Sequence, residues 1–364
     1  MLTTHKTTPR TISTPMPTPV PLPLPRHFAT GNSFQSAYAV GDVSGLQKTA
    51  ECWKTQHSLK AVGGDRVKIH LLVIDDQFDF TFPDGSLFVA GRSGKGAMEA
   101  QDRLVQFIYK YLHVISQITC TMDTHLPYQI FFPSAHLRSD GTHPDPHTMI
   151  SAEDYRQGRY RPNPAMAKQL GVDPIWLQRQ FIHYCEKLEE SGKYQLYLWP
   201  YHCLLGTNGH RLAGVVDEAR LFHGFCRGAE NRPEIKGGNP LTEHYSIFSP
   251  EVTTCWDGNP IPGVQKNTRL IKTLLEADMV MMAGLASSHC VKESIADFLG
   301  EIQRQDPALA RKVYILKDCT APVVVPGGLD FTDDADRAMK SFSDAGMHVV
   351  ETGIPLEKWP DLPF

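Results

Sequence analysis

Length, composition and charge place the chain among ordinary globular proteins and exclude several classes of function. Its 364 residues are 41% hydrophobic and 21% charged, with a formal net charge of −4, which suits one large domain. The mild acidity gives no basic footprint for nucleic acid or an anionic membrane surface, and no apolar run approaches the ~20 residues of a membrane span. Eight cysteines without a CxxC pair predict reduced thiols and a cytoplasmic protein.

The N-terminal 35 residues differ in composition from the rest of the chain. Between Pro9 and Pro25, prolines alternate with Thr, Val and Leu, a pattern that opposes a helix and leaves little to bury. We therefore predict a disordered tail over residues 1–35 and a single folded domain over residues 36–364. Basic residues without an acidic one before Asp42 keep organelle targeting open as an alternative.

Apolar runs alternate with amphipathic periods along the domain. Strands are predicted at residues 67–74, 115–122, 194–199, 278–283, 313–316 and 348–351, and a strand or loop near residues 233–236. Helices are predicted at residues 94–117, 174–190, 210–227, 265–276, 291–299 and 333–345. Such alternation indicates an α/β fold, a three-layer αβα sandwich whose central sheet is mostly parallel. Residues 126–190 include a long stretch without a clear period, and we interpret them as an insertion or lid.

Residues that can carry chemistry follow several of the predicted strands. Asp75, Asp123 with His125, His202 and Cys290 each come after an apolar run. In a parallel sheet the carboxyl ends of the strands meet at one edge, where ligands bind. The pattern therefore predicts one site that contains these side chains.

Asp123, His125 and His202 form a set of one carboxylate and two imidazoles. Along a strand, residues 123 and 125 project to the same face. Three protein ligands with an open position are typical of a catalytic divalent metal site. The alternative is an ordinary surface pair, because Asp-x-His alone is weak evidence.

Cys290 stands where a predicted strand and a small-residue turn lead into a helix. The free N–H groups and positive dipole end of a helix N-terminus favour a thiolate, so Cys290 is a candidate nucleophile. A buried core cysteine is the alternative. Asp75 could serve as the general base for such a thiol, although a single Asp after a strand is more often a helix cap or a loop residue.

Five segments resemble, in the same order, the motifs of the isochorismatase-like cysteine hydrolases, among which the nicotinamidases are closest. The segments are residues 74–80, 123–125, 199–209, 234–248 and 284–291. They are similar to the VDMQNDF, DWH, WPxHCVxGTxG, lysine–YSAF and GVAxxYCV motifs of that family. The resemblance covers about residues 67–351, and much of residues 126–190 lies outside it.

The resemblance implies a catalytic role for several matched residues. Asp75 would be the general base, Cys290 the nucleophile, and Lys236 would stabilise charge and lower the thiol pKa. The family's cis peptide falls at Leu285–Ala286. It would direct the N–H of Ala286, with that of Cys290, at the oxyanion.

The resemblance also implies a metal site and a substrate contact. Asp123, His125 and His202 would hold a divalent ion, zinc first, with iron and manganese as alternatives. In nicotinamidases this ion binds the pyridine nitrogen of the substrate. Phe80 would pack against the substrate ring.

The implied activity is hydrolysis of nicotinamide to nicotinate and ammonia through a thioester, a step of pyridine nucleotide salvage. Two alternatives remain open at this point: a related carbon–nitrogen hydrolase acting on a larger amide or heterocycle, and a non-catalytic binding member. The expected partner is a small-molecule amide, with neither nucleic acid nor membrane, and the family's frequent homo-oligomers leave a homo-oligomer open.

Four features depart from the family pattern. Thr124 replaces the usual Trp, Gln129 stands where many nicotinamidases carry a second His, and His289 replaces the Tyr beside the nucleophile. The segment between the Asp-x-His and Trp-Pro motifs is also longer than the family leads one to expect. These departures leave the size of the substrate open.

Overall fold

A computed structural model describes residues 19–325 and 327–364. Within them the strands are, in chain order, β1 (Ile69–Ile74), β2 (Gln117–Asp123), β3 (His136–Arg138), β4 (Met149–Ile150), β5 (Tyr160–Pro162), β6 (Leu196–Tyr197), β7 (Glu234–Lys236), β8 (Met279–Leu285), β9 (Val313–Ala321) and β10 (His348–Val350). The α-helices are α1 (Val43–Gln56), α2 (Phe78–Thr81), α3 (Gly96–Tyr111), α4 (Ala152–Arg156), α5 (Pro164–Leu170), α6 (Pro174–Ser191), α7 (Gly214–Arg227), α8 (Thr268–Glu276), α9 (Cys290–Gln305) and α10 (Thr332–Asp344).

A six-stranded sheet in the order β10-β9-β8-β1-β2-β7 forms the centre of the fold. All its neighbouring strands pair in parallel. In β1, Leu72 and Ile74 face one hydrophobic core, whereas Leu71 and Val73 face the other. A strand buried on both faces has to be apolar along its whole length, which is why β1 reads as a continuous apolar run.

Helices cover both faces of this sheet. Apolar sides of α1, α3 and α7 share one core with it, and those of α8, α9 and α10 share the other. The predicted three-layer αβα sandwich with a mostly parallel sheet is therefore confirmed. Among the described residues, no helix has the length and apolar character needed to cross a membrane.

Two elements differ from their predictions. No helix or strand was predicted for residues 36–66, where helix α1 lies. Its N-cap is Asp42, whose side chain accepts a hydrogen bond from the N–H of Gly45. The strand predicted at residues 194–199 is only β6, which pairs antiparallel with β4 in a separate small sheet. The prediction that His202 follows a strand of the central sheet was therefore wrong.

Residues 126–190 form an ordered layer with secondary structure of its own. Strands β3 and β5 pair antiparallel, α4 and α6 contact β5, and α5 packs against α6. Phe181 and Tyr184 of α6 are fully buried in the core that also holds α8 and α9. The absence of a period before α6 reflects the short elements there, and the action of the segment as a lid stays a prediction.

The predicted tail lies partly outside the described residues. Disorder over residues 1–18 stays a prediction, because the structure does not describe them. Residues 19–35 contact the domain: the N–H of Leu22 donates to the carbonyl of Lys110, and Leu24 and Phe28 pack against the core. Residues 19–35 therefore include segments that pack against the domain, and the domain boundary at residue 35 stays a prediction.

Candidate active site

Asp75 lies directly after β1 with a fully buried carboxylate. The backbone of Asp75 has a φ of 48°, which turns the chain away from the strand. The hydroxyl of Thr121 in β2 donates to Asp75 Oδ1 at 2.5 Å and accepts from the Asp75 N–H at 3.0 Å. Oδ2 is left for a cation, and Lys236 Nζ lies 2.8 Å from it.

Lys236 ends the edge strand β7 and holds together the polar groups of the site. Its ammonium lies 2.8 Å from Asp75 Oδ2 and 3.0 Å from Asp123 Oδ1. Both oxygens lack a well-aligned hydrogen bond, so ion pairing holds these contacts. Nζ also donates to the carbonyl of His244 at 2.9 Å and to Cys290 Sγ at 3.7 Å. A buried ammonium with this many partners is held as a cation.

Cys290 is the first residue of α9 and is only 8% exposed. Burial raises the pKa of its thiol; the charge of Lys236 opposes this increase, and the Asp75 carboxylate adds to it. The net direction is upward, so the thiol is neutral until a base removes its proton. The charge of Lys236 acts toward a lower thiol pKa, as the resemblance implied, but burial has the larger effect.

Asp75 and Lys236, the two charged residues near the thiol, also have shifted pKa values. Burial raises the pKa of Asp75 despite the opposing charge of Lys236. Burial would lower the pKa of Lys236, but Asp123 and Asp75 hold it well above its usual range. A carboxylate with a raised pKa is a stronger base, and it lies beside the lysine that also contacts the thiol.

The turn between β8 and α9 has the predicted backbone form. The peptide between Leu285 and Ala286 is cis. Among the described residues, the N–H groups of Ala286 and Cys290 have no hydrogen-bond acceptor. Both residues border the same cavity, so their free donors are available to a bound molecule.

Asp123, His125 and His202 come together as the sequence predicted, and their possible ligand atoms lie within 4.8 Å of one another. His125 Nε2 lies 2.8 Å from Asp123 Oδ2, and His202 Nε2 lies 3.8 Å from it. His202 reaches the cluster because residues 203–205 pair with His125: the His125 N–H donates to the carbonyl of Cys203, and the His125 carbonyl accepts from Leu205.

Backbone carbonyls contact the Nδ1 atoms of the two histidines. His125 Nδ1 contacts the carbonyl of Gly237 at 3.2 Å, and His202 Nδ1 contacts the carbonyl of Pro200 at 2.8 Å. A carbonyl accepts a hydrogen bond from the Nδ1–H, which leaves Nε2 with a lone pair that a metal could take. Gly237 has a φ of +86°, and a Cβ there would lie 2.4 Å from Asp123 Oδ1. The donor set, its orientation and this close approach fit a divalent cation.

Gln129 supports the same cluster from the far side. Its Nε2 donates to the carbonyls of Gly237 and Asn239 at 2.6 and 2.9 Å, and its Oε1 accepts from the Leu126 N–H at 3.0 Å. The Gly237 carbonyl is thus shared between Gln129 and His125. Gln129 positions the backbone that orients His125, a function the sequence did not reveal.

A largely apolar cavity extends from Asp123 and His202 to Cys290. Its lining includes Phe80, Leu87, Val89, Asp123, Trp199, His202, Glu243, Tyr245, Leu285, Ala286, His289, Cys290 and Val323. Phe80 therefore borders the cavity, and its ring centroid lies 5.4 Å from that of His202; its contact with a substrate ring stays a prediction. Aromatic and aliphatic walls with a few polar groups are typical of pockets for small planar molecules.

Several residues of the site were missed by the sequence reasoning. Gln77 holds the backbone of Asp123 through two hydrogen bonds at 2.9 and 2.7 Å, and Asp79 accepts from the Cys203 N–H at 2.7 Å. Both follow Asp75 closely, so the motif was a signal for them. No sequence motif pointed to Glu243, which lines the cavity. Burial, followed by the charge of Asp123, raises the pKa of its carboxyl well above its usual range.

No protein-family model matches the chain, and no curated protein matches it in sequence. Solved structures do resemble it. A yeast nicotinamidase bound to the inhibitor nicotinaldehyde is 18% identical with a TM-score of 0.49, over 78% of this chain and 99% of the other. A nicotinamidase/pyrazinamidase of Acinetobacter baumannii is 17% identical with a TM-score of 0.44, over 79% and 97%.

A pyrazinamidase of Pyrococcus horikoshii in complex with zinc is 18% identical with a TM-score of 0.41, over 78% of this chain and 99% of the other. These names belong to the group that the sequence motifs resemble. At such identities and TM-scores the likeness carries no argument about the chemistry of this chain. That chemistry has to be inferred from the side chains of its own site.

Proposed function

We propose that the protein is a metal-assisted cysteine amidohydrolase that converts nicotinamide to nicotinate and ammonia through a thioester on Cys290. The observation that carries the proposal is the contact of Lys236 with Asp75 and Cys290, beside a cavity that also reaches Asp123 and His202. A base, a thiol and a cation in contact provide the parts that nucleophilic acyl transfer needs.

The first half of the reaction forms the thioester. The Asp75 carboxylate takes the thiol proton, and Cys290 Sγ adds to the amide carbon as its C=O becomes an oxyanion. Asp75 then returns the proton to the amide nitrogen, the C–N bond breaks and ammonia leaves. The raised pKa of Asp75 suits a group that both takes and gives this proton. Lys236 stays cationic and stabilises the carboxylate and the developing thiolate.

The second half hydrolyses the thioester. Asp75 accepts a proton from a water molecule, whose oxygen adds to the acyl carbon. The C–S bond breaks, the proton returns to Cys290, and the carboxylic acid is released. Atoms and charges balance over the cycle without any other co-reactant.

Backbone donors are placed to stabilise the two oxyanions. The N–H groups of Ala286 and Cys290 lie at the cavity without an acceptor among the described residues. A donor of this kind is typically worth about 10²–10³ in rate. Because one N–H group belongs to the turn after β8 and the other to the first residue of α9, both are fixed by the backbone and need no reorganisation during the reaction.

Asp123, His125 and His202 would hold the metal, for which zinc is the first choice and iron or manganese the alternatives. The ion, when bound, supplies a Lewis acid that can hold a heteroatom of the substrate ring. Lys236 connects this cluster to the base, since it lies 3.0 Å from Asp123 and 2.8 Å from Asp75. The aromatic wall that includes Phe80 and Trp199 suits a flat ring.

The test is ammonia release from nicotinamide, pyrazinamide and a panel of larger amides by zinc-loaded protein. We expect release from nicotinamide by the wild type, and its loss in Cys290→Ala and Asp75→Asn. Cys52→Ala is the matched control, because Cys52 is the exposed cysteine and far less constrained. Ammonia release from larger amides but not from nicotinamide would show that the substrate is a larger amide. No ammonia release from any amide would refute the amidohydrolase activity.

A further inference from the structure

His289 is one of the polar side chains of the cavity that the proposed mechanism does not use. It precedes the nucleophile, is 5% exposed and borders the cavity. Its ring centroid lies 4.9 Å from that of Phe331 and between 5.5 and 6.0 Å from those of Trp199, Tyr245 and Tyr194. Four aromatic neighbours hold the imidazole in one orientation.

The hydrogen bonds of Ser288 determine which ring nitrogen of His289 carries the proton. Ser288 Oγ accepts from the N–H of Val323 at 3.0 Å and lies 2.9 Å from His289 Nδ1. Nδ1 is the only acceptor for the Ser288 hydroxyl proton among the described residues. A buried hydroxyl donates its proton where it can, so Nδ1 accepts and the proton of the neutral ring is on Nε2.

The charge state of the ring agrees with this assignment. Burial lowers the pKa of His289 to about 4, and the charge of Lys292 acts in the same direction, whereas Glu293 and Asp334 oppose it. The imidazole is therefore neutral near pH 7. Among the described residues, the side-chain hydrogen-bond contact of His289 is the one between Nδ1 and Ser288 Oγ, so the Nε2–H, on a ring that borders the cavity, is open to another acceptor.

A donor at the wall of a cavity that has no partner within the protein can bind an acceptor on a ligand and so fix the orientation of that ligand. We propose that His289 is a specificity-determining residue whose Nε2–H donates a hydrogen bond to an acceptor on the acyl group of the substrate, outside the amide that is cleaved. This inference rests on the proposed function, because it assumes that an amide occupies the cavity. It identifies the substrate class as heteroaromatic amides with a second acceptor near the carboxamide.

The kinetic test compares substrates of equal size that differ by one acceptor. Pyrazinamide and nicotinamide form one such pair, and 5-methoxynicotinamide and 5-methylnicotinamide form another. For at least one pair, we expect His289→Phe to lower the ratio of kcat/KM between the acceptor-bearing and the acceptor-poor amide by about 3- to 10-fold, the usual worth of one hydrogen bond. His289→Gln, which keeps a side-chain N–H, should restore part of that ratio.

A second measurement does not depend on turnover. In ¹⁵N-labelled Cys290→Ala protein, the histidine side-chain signal that is absent from the Cys290→Ala/His289→Phe protein identifies His289. We expect an Nε2-protonated neutral ring at pH 7, whose Nε2 signal shifts when pyrazinamide or nicotinate is added.

An Nδ1-protonated ring, an imidazolium, or an unshifted signal at saturating ligand would overturn the proposal. Unchanged ratios for every pair would do the same. Failure of the amidase activity itself would appear differently, as absent ammonia release with the Nε2 tautomer and the ligand-induced shift still present.

Discussion

Gly237→Ala tests whether the buried cluster of one aspartate and two histidines binds the metal. Gly237 has a φ of +86°, and an added Cβ would lie 2.4 Å from Asp123 Oδ1 and 2.9 Å from His125 Cε1. Real Cβ atoms do not approach other atoms so closely, so both ligands have to move. A left-handed backbone costs an alanine roughly 1–2 kcal/mol in addition.

Gly258→Ala separates the backbone strain from the displacement of the ligands. Gly258 has a φ of +84°, almost the same as Gly237, but a Cβ there would meet nothing within 4 Å. We expect both variants to lose a similar amount of stability from strain. Only Gly237→Ala should also lose zinc affinity, by about 10- to 100-fold, the usual effect of disturbing the support of metal ligands.

Competition titration with a chromogenic zinc chelator measures this affinity, and urea unfolding of the metal-free proteins measures the strain. Ammonia release at limiting zinc should fall in Gly237→Ala and recover partly when zinc is raised. Equal zinc affinities for wild type, Gly237→Ala and Gly258→Ala would refute the assignment of the cluster as the metal site.

Three further predictions follow from the structure. Gln129→Leu leaves the carbonyls of Gly237 and Asn239 and the N–H of Leu126 without their partner. Urea unfolding should therefore show a free energy of unfolding that is lower by about 2 kcal/mol or more, and chelator titration should show weaker zinc binding. An unchanged unfolding free energy together with unchanged zinc affinity would contradict the positioning function. Thr121→Val removes a hydrogen bond that lowers the pKa of Asp75, so the acid limb of the pH profile of kcat/KM should move to higher pH, and a shift to lower pH would argue against Asp75 as the base. Burial lowers the pKa of His223 from 6.5 to about 4, so the stability it contributes is present above pH 6.5 and is lost as the pH falls toward 4. Urea unfolding at pH 7.5 and at pH 5 should therefore show a loss of about 2 kcal/mol from this group. His223→Gln should reduce the pH dependence of the unfolding free energy by that amount.

The layout of the sheet could be predicted because its strands are buried on both faces. Strands β1 and β8 read as continuous apolar runs, and each is followed by a residue of the site. Helix α1 gave no such signal, since Leu46, Ala50 and Trp53 are its buried residues and most of its surface is polar. A narrow apolar side over four turns is a weak periodic pattern.

The positions of the candidate residues were predicted better than their electrostatics. Asp75, Lys236 and Cys290 are in contact, as their motifs suggested, but the direction of the thiol pKa depends on burial that the sequence does not show. His202 was placed correctly for a wrong reason, because it reaches the cluster through loop pairing with His125 rather than at the end of a sheet strand.

Glu243 and Gln129 show where reasoning from spacing ends. Each contacts residues distant in the chain: Gln129 bonds residues 237 and 239, and Glu243 shares a cavity with His202 and Cys290. Their surroundings are set by the way the loops pack over the sheet edge. No local period or spacing encodes that packing.

The central claim is that Cys290 carries the acyl group, and rapid quenching with intact-protein and peptide mass spectrometry tests it most directly. Zinc-loaded protein mixed with excess nicotinamide and quenched in acid within the first turnovers should carry one nicotinoyl group on the peptide that contains Cys290. Cys52→Ala should give the same adduct, and Cys290→Ala should give none. Ammonia release by the wild type without any adduct on Cys290 would contradict the account. Undiminished ammonia release by Cys290→Ala would contradict it as well.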